Sequence, residues 1–294
     1  MQQKDKKFEC SAVINGLEIE LTNLCGANCL VCPRTSITKY GYLIKEDLDK
    51  IILLLKEGNY KELIIGGFGD AFLHKDFNDF LDYIFKEVPR IKLYIMTKGI
   101  SIKQEHLNKI ISLKNSGFNI TLTFSIFSLD KKLFNKLTGG EYFEKFKEVF
   151  NKVRNLNIDY SMEFLLSSLN LNEYEKFKKF SQLQNKDFTY SLVHNWGGKL
   201  KKDIHKIMFD KEKLKEYYIK RTKQDICEVI SSNYFYIDCF GDIFLCSVNR
   251  QKNNHIGKLE NLNLKDIIEK KKLLNYTDSC DKCFYYYYKT KKED

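Results

Sequence analysis

Thiols are the side chains of this sequence with the clearest chemistry, and they are clustered along the chain. Of the nine cysteines, Cys25, Cys29 and Cys32 lie within eight residues, five lie between residues 227 and 283, and Cys10 stands apart. The N-terminal stretch lacks the apolar segment of a signal peptide, so we expect a cytoplasmic protein whose thiols stay reduced. Clustered cysteines in such a chain indicate metal or iron–sulfur ligation rather than disulfide bonds.

The first group has the spacing Cys-x3-Cys-x2-Cys and directly follows a predicted strand. Three thiolates bind three irons of a cubane cluster and leave the fourth iron open for another ligand. A structural zinc ion needs four ligands, and the neighbouring sequence supplies no fourth Cys or His. Zinc binding and three unrelated buried cysteines are the alternatives to a cluster with one open iron.

Four cysteines of the second group have the pattern of a four-thiolate site, namely Cys227, Cys246 and the pair Cys280 and Cys283. Spacing alone fits zinc and an iron–sulfur cluster equally well. Cys239 is left over. It is interpreted as a small apolar side chain in a hairpin, as a hydrogen-atom donor, or as a substitute ligand.

The elements that must position these thiols alternate between strands and helices. Apolar patterning predicts strands at 17–21, 63–65, 92–96, 120–126, 159–165 and 188–193, and helices at 44–57, 76–88, 102–113, 143–156 and 173–183. Short connections between them predict an α/β fold with a parallel sheet, either open or curled into part of a barrel. In such sheets ligands bind at the carboxyl ends of the strands.

The alternation stops near residue 200, which predicts a division of the chain. We expect a domain at 1–200, a lysine-rich connector at 201–225 and a small domain at 226–294. The small domain should contain a β-hairpin with Gly241 in its turn, a helix at 264–274 and an aromatic tail.

The three-cysteine loop after the first strand of a β/α array resembles the radical S-adenosylmethionine (radical SAM) superfamily, and the resemblance covers most of the chain. It implies a partial (β/α)6 TIM-like barrel and a [4Fe–4S] cluster held by Cys25, Cys29 and Cys32. The open iron would chelate the amino and carboxylate groups of S-adenosylmethionine. Reductive cleavage would then yield a 5′-deoxyadenosyl radical that abstracts hydrogen from the substrate.

Other segments resemble positions at which this superfamily binds S-adenosylmethionine. The turn from Gly66 to Asp70 is similar to a glycine-rich turn that ends in Glu, so the Asp is a departure from the family. Val31 stands where an aromatic adenine contact is common. The binding positions that the resemblance implies are Val31, Gly67, Gly69, Asp70, Thr97, Ser125 and Ser128. Ordinary turn or cap roles are the alternative for Asp70 and Ser125.

The C-terminal segment resembles the SPASM/twitch appendage of radical SAM enzymes, in its shortened twitch form. The resemblance implies a second [4Fe–4S] cluster, held by Cys227, Cys246, Cys280 and Cys283, which has no open iron and transfers electrons. The loop after the last strand resembles one in aminocyclitol dehydrogenases. It offers Asn195 and Trp196 as substrate contacts, although Trp196 could equally cap the barrel. Those enzymes have a charged residue where Trp196 stands, so their base does not carry over. His194, Lys199 and His205 remain candidate bases, with an ordinary surface position as the alternative for each.

We therefore expect oxidation of a carbinol carbon on a sugar or cyclitol, with the auxiliary cluster as electron acceptor. Radical epimerisation, with Cys239 as hydrogen donor, and maturation of a ribosomal peptide are the alternatives. The expected partners are such a sugar, cyclitol or peptide substrate and an electron donor such as flavodoxin or ferredoxin.

Net charge offers a competing interpretation. The formal charge is +10 with 30% charged residues, which would fit a zinc-binding nucleic-acid module. However, most of the positive charge is lysine interspersed with acidic residues, which is typical of a solvated surface. We expect neither nucleic-acid binding nor a membrane span.

Overall fold

The computed structural model describes residues 16–186, 188–193, 232–248 and 254–274 as continuous segments. It also describes short pieces at 210–216, 218–220 and 288–290, and the single residues Trp196, Leu200, Met208 and Arg250.

Most strands of the described chain belong to one nine-stranded sheet. In chain order the strands are β1 (Gly16–Ile19), β2 (Glu62–Ile65), β3 (Lys92–Thr97), β4 (Asn119–Ile126), β5 (Tyr160–Leu166), β6 (Phe188–Leu192), β7 (Tyr218–Lys220), β8 (Tyr236–Ile237), β9 (Asp242–Phe244), β10 (His255–Lys258) and β11 (Tyr288–Thr290). The sheet order is β10-β9-β8-β1-β2-β3-β4-β5-β6, while β7 and β11 pair separately. Strands β1 to β6 are parallel neighbours, so their carboxyl ends lie along one edge.

Helices connect the parallel strands and cover the sheet. They are α1 (Lys45–Glu57), α2 (Phe77–Glu87), α3 (Gln104–Asn115), α4 (Lys131–Thr138), α5 (Phe143–Asn155), α6 (Tyr174–Leu183), α7 (Lys211–Leu214) and α8 (Leu264–Leu273). Their apolar residues recur at helical spacing and pack on the sheet, as Leu48, Ile52 and Leu55 of α1 do, while Leu53 of the same helix is 56% exposed.

The two faces of the parallel sheet differ in polarity. On β4, Ile120, Leu122 and Phe124 are buried, while the alternating residues Thr123 and Ser125 are half-buried. Phe124 packs edge-to-face on aromatic rings of α5 and β5, with centroids 5.2 to 6.4 Å away. The face under the helices is therefore the apolar core, and the opposite face carries polar side chains.

The predicted α/β fold is confirmed, with a parallel-dominated open sheet that is consistent with a partial TIM barrel. The six predicted strands and five predicted helices before residue 193 are confirmed to within two residues at each end. The predicted hairpin is also present, with Gly241 at φ 72° between β8 and β9. Sequence patterning missed α4, β7, β10 and β11. Among the described residues, no helix is long and apolar enough to span a membrane.

Strand β8 lies beside β1 and runs parallel to it, so the segment after residue 232 continues the main sheet. The backbone N–H of Glu20 donates to the carbonyl of Ile237 at 2.9 Å. Most of residues 201–225 lie outside the described residues, so the division of the chain there stays a prediction.

Candidate functional site

The three-cysteine loop is anchored to the end of α4. The backbone N–H of Asn28 donates to the carbonyl of Thr138 at 3.1 Å, and that of Leu30 donates to Leu137 at 3.0 Å. These carbonyls lie in the last turn of the helix, where no helical N–H is available to them. The loop thus uses the unpaired end of a helix as its support.

Gly139 makes this close approach of loop and helix feasible. It ends α4 in the left-handed region, with φ 74°. A Cβ atom at this position would lie 2.2 Å from the carbonyl oxygen of Asn28. Both the backbone conformation and the space therefore require glycine.

The guanidinium group of Arg34 binds backbone carbonyls of the cysteine loop. Arg34 donates to the carbonyls of Cys25, at 3.2 Å, and of Ala27, at 2.7 Å. The N–H of Cys32 donates to the carbonyl of Cys29 at 3.0 Å, which closes a tight turn. The backbone around all three thiols is thus fixed by hydrogen bonds of the chain itself.

The three thiols lie in a partly buried environment. Burial raises the pKa of Cys25 to about 11, with the Asp70 carboxylate adding to the effect, and raises that of Cys32 to about 12. Burial raises the pKa of Cys29 as well. Without a metal these thiols keep their protons at neutral pH, so metal binding must release them.

Three thiols on one short loop fit the protein ligand set of a cubane cluster with one open iron. The thiols of Cys25, Cys29 and Cys32 are close enough to influence one another electrostatically. In a cubane each thiolate binds a different iron, so the sulfurs are spread apart. Lys98 and Arg34 supply positive charge beside them.

The glycine-rich turn at 66–70 follows β2 and lies next to the start of this loop. The N–H of Asp70 donates to the carbonyl of Leu24 at 2.7 Å. A Cβ on Gly69 would lie 1.8 Å from the carbonyl oxygen of Thr22, so only glycine permits this contact. Gly67 has φ 116°, a conformation that side chains rarely adopt.

Asp70 lies at the base of the turn and is almost fully buried. Its carboxylate accepts hydrogen bonds from the hydroxyl of Thr97, at 3.2 Å, and from the N–H of Phe72, at 3.3 Å. Burial raises the pKa of Asp70 to about 6, and hydrogen bonds from Ser101, Phe72 and Thr97 oppose that rise. Thr97 also accepts from the N–H of Gly99 at 2.9 Å, so the two predicted site residues share one buried network.

Polar side chains of neighbouring strands meet near the cysteine loop. Glu163 of β5 accepts from the hydroxyl of Ser191 on β6 at 2.7 Å and is also bonded by Ser125 of β4. Burial raises the pKa of Glu163. The half-buried Lys98 donates to the carbonyl of Ser125 at 3.0 Å, and its charge acts on Glu163 and on Cys29.

Ser128 has a different setting from Ser125. It is fully buried in the turn before α4, where its hydroxyl accepts from the N–H of Asp130 at 2.9 Å and donates to the Asp130 carbonyl. These bonds are those of a local turn.

Trp196 contacts both the cysteine loop and the glycine turn. Its indole N–H donates to the carbonyl of Val31 at 2.5 Å, and its ring meets the ring of Phe68 edge-on at 5.2 Å. Val31 itself is buried. The other predicted residues of this loop, His194, Asn195 and Lys199, and His205 beyond it, lie outside the described residues.

Two cysteines of the second group are described. Cys239 follows β8, is 1% exposed and lies against the backbone of Asn23, and burial raises its pKa far above the ordinary range. Cys246 is half-buried. The remaining predicted ligands, Cys227, Cys280 and Cys283, and also Cys10, lie outside the described residues.

Sequence reasoning missed four charged residues of this region: Glu20, Lys98, Glu163 and Arg250. Glu20 and Glu163 could have been found, because each is a carboxylate at a polar position in the apolar/polar alternation of a parallel strand or its end, on the inner face of the sheet, where a charge needs a partner. Nothing in the sequence marks Arg250, which reaches the glycine turn only through the fold.

Comparison with known proteins identifies the family. The profile of the family described as the Radical SAM superfamily matches residues 19–181, more than half of the chain. The chain belongs to the radical SAM superfamily. Radical SAM proteins are enzymes that use a [4Fe–4S] cluster and S-adenosylmethionine, so this chain is implied to bind both. No match is found among curated proteins.

Solved structures of radical SAM enzymes share this fold. The complex of BtrN with AdoMet and 2-DOIA matches with a TM-score of 0.60 and 14% identity over 92% of each chain. Streptococcus suis SuiB bound to the precursor peptide SuiA matches with a TM-score of 0.67 and 16% identity, over 92% of this chain and 70% of SuiB. The anSMEcpe enzyme with bound AdoMet matches with a TM-score of 0.65 and 13% identity, over 92% and 86%. At these identities the likeness concerns the fold.

Proposed function

We propose that Cys25, Cys29 and Cys32 hold the [4Fe–4S] cluster that binds S-adenosylmethionine. The observation that carries the proposal is that the three thiols, the glycine turn and the polar ends of β4 to β6 meet at the carboxyl edge of the sheet. When bound, the cluster and S-adenosylmethionine supply a 5′-deoxyadenosyl radical that abstracts hydrogen. The chain holds, orients and shields the reactants.

The glycine turn and the strand ends are the proposed cofactor contacts. Backbone carbonyls of Gly67 and Phe68 would receive the ammonium of S-adenosylmethionine. Gly67 and Gly69 allow the turn to follow its path, because a Cβ on Gly67 would overlap Glu20 and a Cβ on Gly69 would overlap the carbonyl of Thr22. Ser125 on β4 would reach the ribose, and Val31 would line the adenine site. Asp70 and Thr97 would support the turn from below through their mutual hydrogen bond.

The proposed reaction is oxidation of a carbinol carbon of a sugar or cyclitol. The inner face of the sheet carries the hydroxyl and carboxylate groups that bind such polyols, among them Ser125, Glu163 and Ser191. BtrN, whose structure contains 2-DOIA, matches over nearly the whole length of both chains. Glu163 is a candidate acceptor for the hydroxyl proton, because burial raises its pKa.

The electron released in this oxidation needs an acceptor. We assign that task to an auxiliary [4Fe–4S] cluster of the SPASM/twitch type on Cys227, Cys246, Cys280 and Cys283. The half-buried Cys246 follows β9, which lies in the same sheet as β1, the strand that precedes the first cysteine loop. An external donor such as flavodoxin or ferredoxin would deliver the electron that starts each turnover.

Radical epimerisation is a second candidate, because of Cys239. A hydrogen-atom donor must keep its S–H bond, and burial raises the pKa of this thiol so that it stays protonated. Cys239→Ala should then abolish the product and spare cleavage of S-adenosylmethionine. The likeness to SuiB bound to SuiA keeps a peptide substrate as a third candidate.

Metal content tests the proposal. We expect about eight irons per anaerobically reconstituted chain and no zinc, and about four irons in the Cys25/Cys29/Cys32→Ala variant. An unchanged iron content in that variant would refute the assignment of the loop. About four irons with one zinc in the wild type would make the second group structural, remove the electron acceptor and favour a redox-neutral reaction such as epimerisation.

A further inference from the structure

A buried ion pair joins β1 to the segment that follows Cys246. The carboxylate of Glu20 is 1% exposed, and the Arg250 side chain is 6% exposed. One terminal nitrogen of Arg250 lies 3.1 and 3.2 Å from the two carboxylate oxygens. A buried ion pair is stable inside a protein only if further hydrogen bonds satisfy its remaining polar atoms. The other contacts of Glu20 and Arg250 therefore indicate what the pair does.

Glu20 directs its remaining hydrogen-bonding capacity at the glycine turn. One carboxylate oxygen accepts from the N–H of Phe68 at 2.5 Å and from that of Gly69 at 3.3 Å. In a trans peptide the N–H and the preceding C=O point in opposite directions. The carbonyls of Gly67 and Phe68 are therefore turned away from Glu20, toward the side on which the proposed ammonium would bind.

Arg250 is held by stacking as well as by charge. Its guanidinium lies 3.4 Å from the centre of the Phe68 ring and 4.1 Å from that of Tyr236 on β8. Its Nε donates to the carbonyl of Ser247 at 3.3 Å. One side chain thus contacts the turn, the added strand and the segment of Cys246.

The contact continues from the turn to the first cysteine loop. Phe68 meets Trp196, whose indole N–H donates to the carbonyl of Val31. Tyr236 is fully buried and lies beside Gly67, where a Cβ would come within 2.9 Å of its hydroxyl; among the described residues this hydroxyl has no hydrogen-bond partner.

We propose that Glu20 and Arg250 are positioning residues that orient the carbonyls of the glycine turn, so that the turn can bind the S-adenosylmethionine ammonium only when the segment carrying Cys246 is docked on β1. This inference rests on the proposed function, because it takes the turn as the ammonium site. It makes the C-terminal segment a requirement for cofactor binding, in addition to any role in electron transfer.

The test compares S-adenosylmethionine binding in reconstituted wild type and in Arg250→Gln. Kd is measured by equilibrium dialysis, and the EPR spectrum of the reduced first cluster is recorded with and without S-adenosylmethionine. We expect Arg250→Gln to raise Kd at least tenfold and to reduce the spectral change, while Arg250→Lys, which keeps the charge, recovers part of the affinity. The matched control is Lys258→Gln, which breaks an ion pair with Asp242 at 2.8 Å within the same segment; its Kd should stay within twofold of wild type.

Each outcome bears on one of the two proposals. If the wild type shows no spectral change with S-adenosylmethionine, the proposed function fails. If the wild type binds and Arg250→Gln binds within twofold of it, the positioning inference is overturned. If Arg250→Gln does not retain iron, Glu20→Gln decides by the same criterion. This variant loses the ion pair with Arg250, which docks the segment, while its amide oxygen can still accept from the turn. An equal loss of affinity in Lys258→Gln would also overturn the inference, because it would show a general effect of loosening the segment.

Discussion

At the scale of single residues, the proposed site depends on positions where backbone approaches backbone. Gly69 lies against the carbonyl of Thr22, and Gly139 lies against that of Asn28. In both cases a methyl group would overlap an oxygen atom. These glycines hold the cysteine loop to the turn on one side and to α4 on the other, so the thiols are placed by main-chain contacts.

Comparing alanine variants of Gly139 and Gly117 separates the effect of backbone strain from that of steric overlap with a neighbouring atom. Gly139→Ala should lower the free energy of unfolding by more than 2 kcal/mol and speed the loss of iron to a chelator, because the new methyl group displaces the loop. Gly117→Ala is the matched control, since Gly117 has φ 89° but nothing within 4 Å of a Cβ. It should cost about 1 kcal/mol and leave iron retention unchanged. Equal effects of the two variants on both measurements would contradict the argument.

A second prediction at this scale concerns pH. Burial raises the pKa of Asp238 from 3.8 to about 6, although its carboxylate accepts from the N–H groups of Phe240 and Asp242. The folded chain therefore binds this proton more tightly than the unfolded chain does. The resulting stabilisation is complete below about pH 4 and is lost as the pH rises through about 6.

Asp238→Asn removes this titration and keeps an oxygen that can accept both bonds. At pH 8 the metal-free variant should exceed the wild type in free energy of unfolding by about 2 kcal/mol, and the difference should shrink toward pH 5. Denaturant unfolding at a series of pH values measures it. The exposed Asp79 serves as control through Asp79→Asn. A difference between Asp238→Asn and wild type that grows toward pH 5 would refute the assignment.

The sequence predicts the residues whose chemistry is local, and it misses those whose partners are distant. Cys25, Cys29 and Cys32 follow from spacing alone, because one short loop contains the whole set. Arg250 acts on Glu20, 230 residues away, and no pattern in either segment indicates that contact. Such pairs depend on which strands become neighbours, and that is a property of the whole fold.

At the scale of elements, α4 shows why a short helix that supports the cysteine loop is missed by a search for apolar periodicity. It has only eight residues, too few for apolar periodicity to be distinct. Its end signals are nevertheless present, with Asp130 accepting from the N–H of Leu133 at 2.8 Å and Gly139 following the last turn. The longer helices and the strands before residue 193 carry several periods of the pattern, and the sequence predicts their bounds within two residues.

The N-cap of α4 should therefore matter to the cysteine loop. Asp130→Ala should cost about 1 kcal/mol of unfolding free energy, because an N-terminal N–H of the helix loses its acceptor. Since the other end of α4 supports the loop, the variant should also release iron faster to a chelator. Asp210→Ala is the control. It removes a similar cap, on α7, where Asp210 accepts from the N–H groups of Glu212 and Lys213.

Iron release from Asp210→Ala should match the wild type. An equal acceleration in both capping variants would indicate general loosening of the fold and would contradict a specific role of α4.

At the scale of the whole molecule, the sequence predicts a change of texture after residue 200 but not where the later segment packs. Composition distinguishes the hairpin at β8 and β9 from the β/α array, and its turn at Gly241 is a local signal. The pairing of β8 with β1 joins residues far apart in sequence, and a two-residue strand carries no pattern that specifies a partner. Long-range parallel pairing of this kind is set by the packing of Phe235 and Ile237 into the common core.

This pairing makes a prediction about cooperativity. Glu18 and Glu20 donate backbone N–H groups to the carbonyls of Phe235 and Ile237, and the hydroxyls of Tyr60 and Tyr234 bond to Asn233 and Glu18 across the same junction. With so many bonds across it, the junction should open only when the main sheet opens. In hydrogen exchange followed by mass spectrometry, a peptide covering 234–240 should exchange as slowly as one covering 16–22.

A peptide covering 211–216, which contains the four-residue helix α7, should exchange much faster than either of these peptides. It serves as the reference for a segment that opens locally. Fast exchange of 234–240 beside a protected 16–22 would mean that the C-terminal segment detaches on its own. Detachment would withdraw Arg250 from Glu20 in part of the population. Addition of S-adenosylmethionine to the reconstituted protein should then slow exchange of 234–240, because a ligand that binds only the docked form shifts the equilibrium toward it.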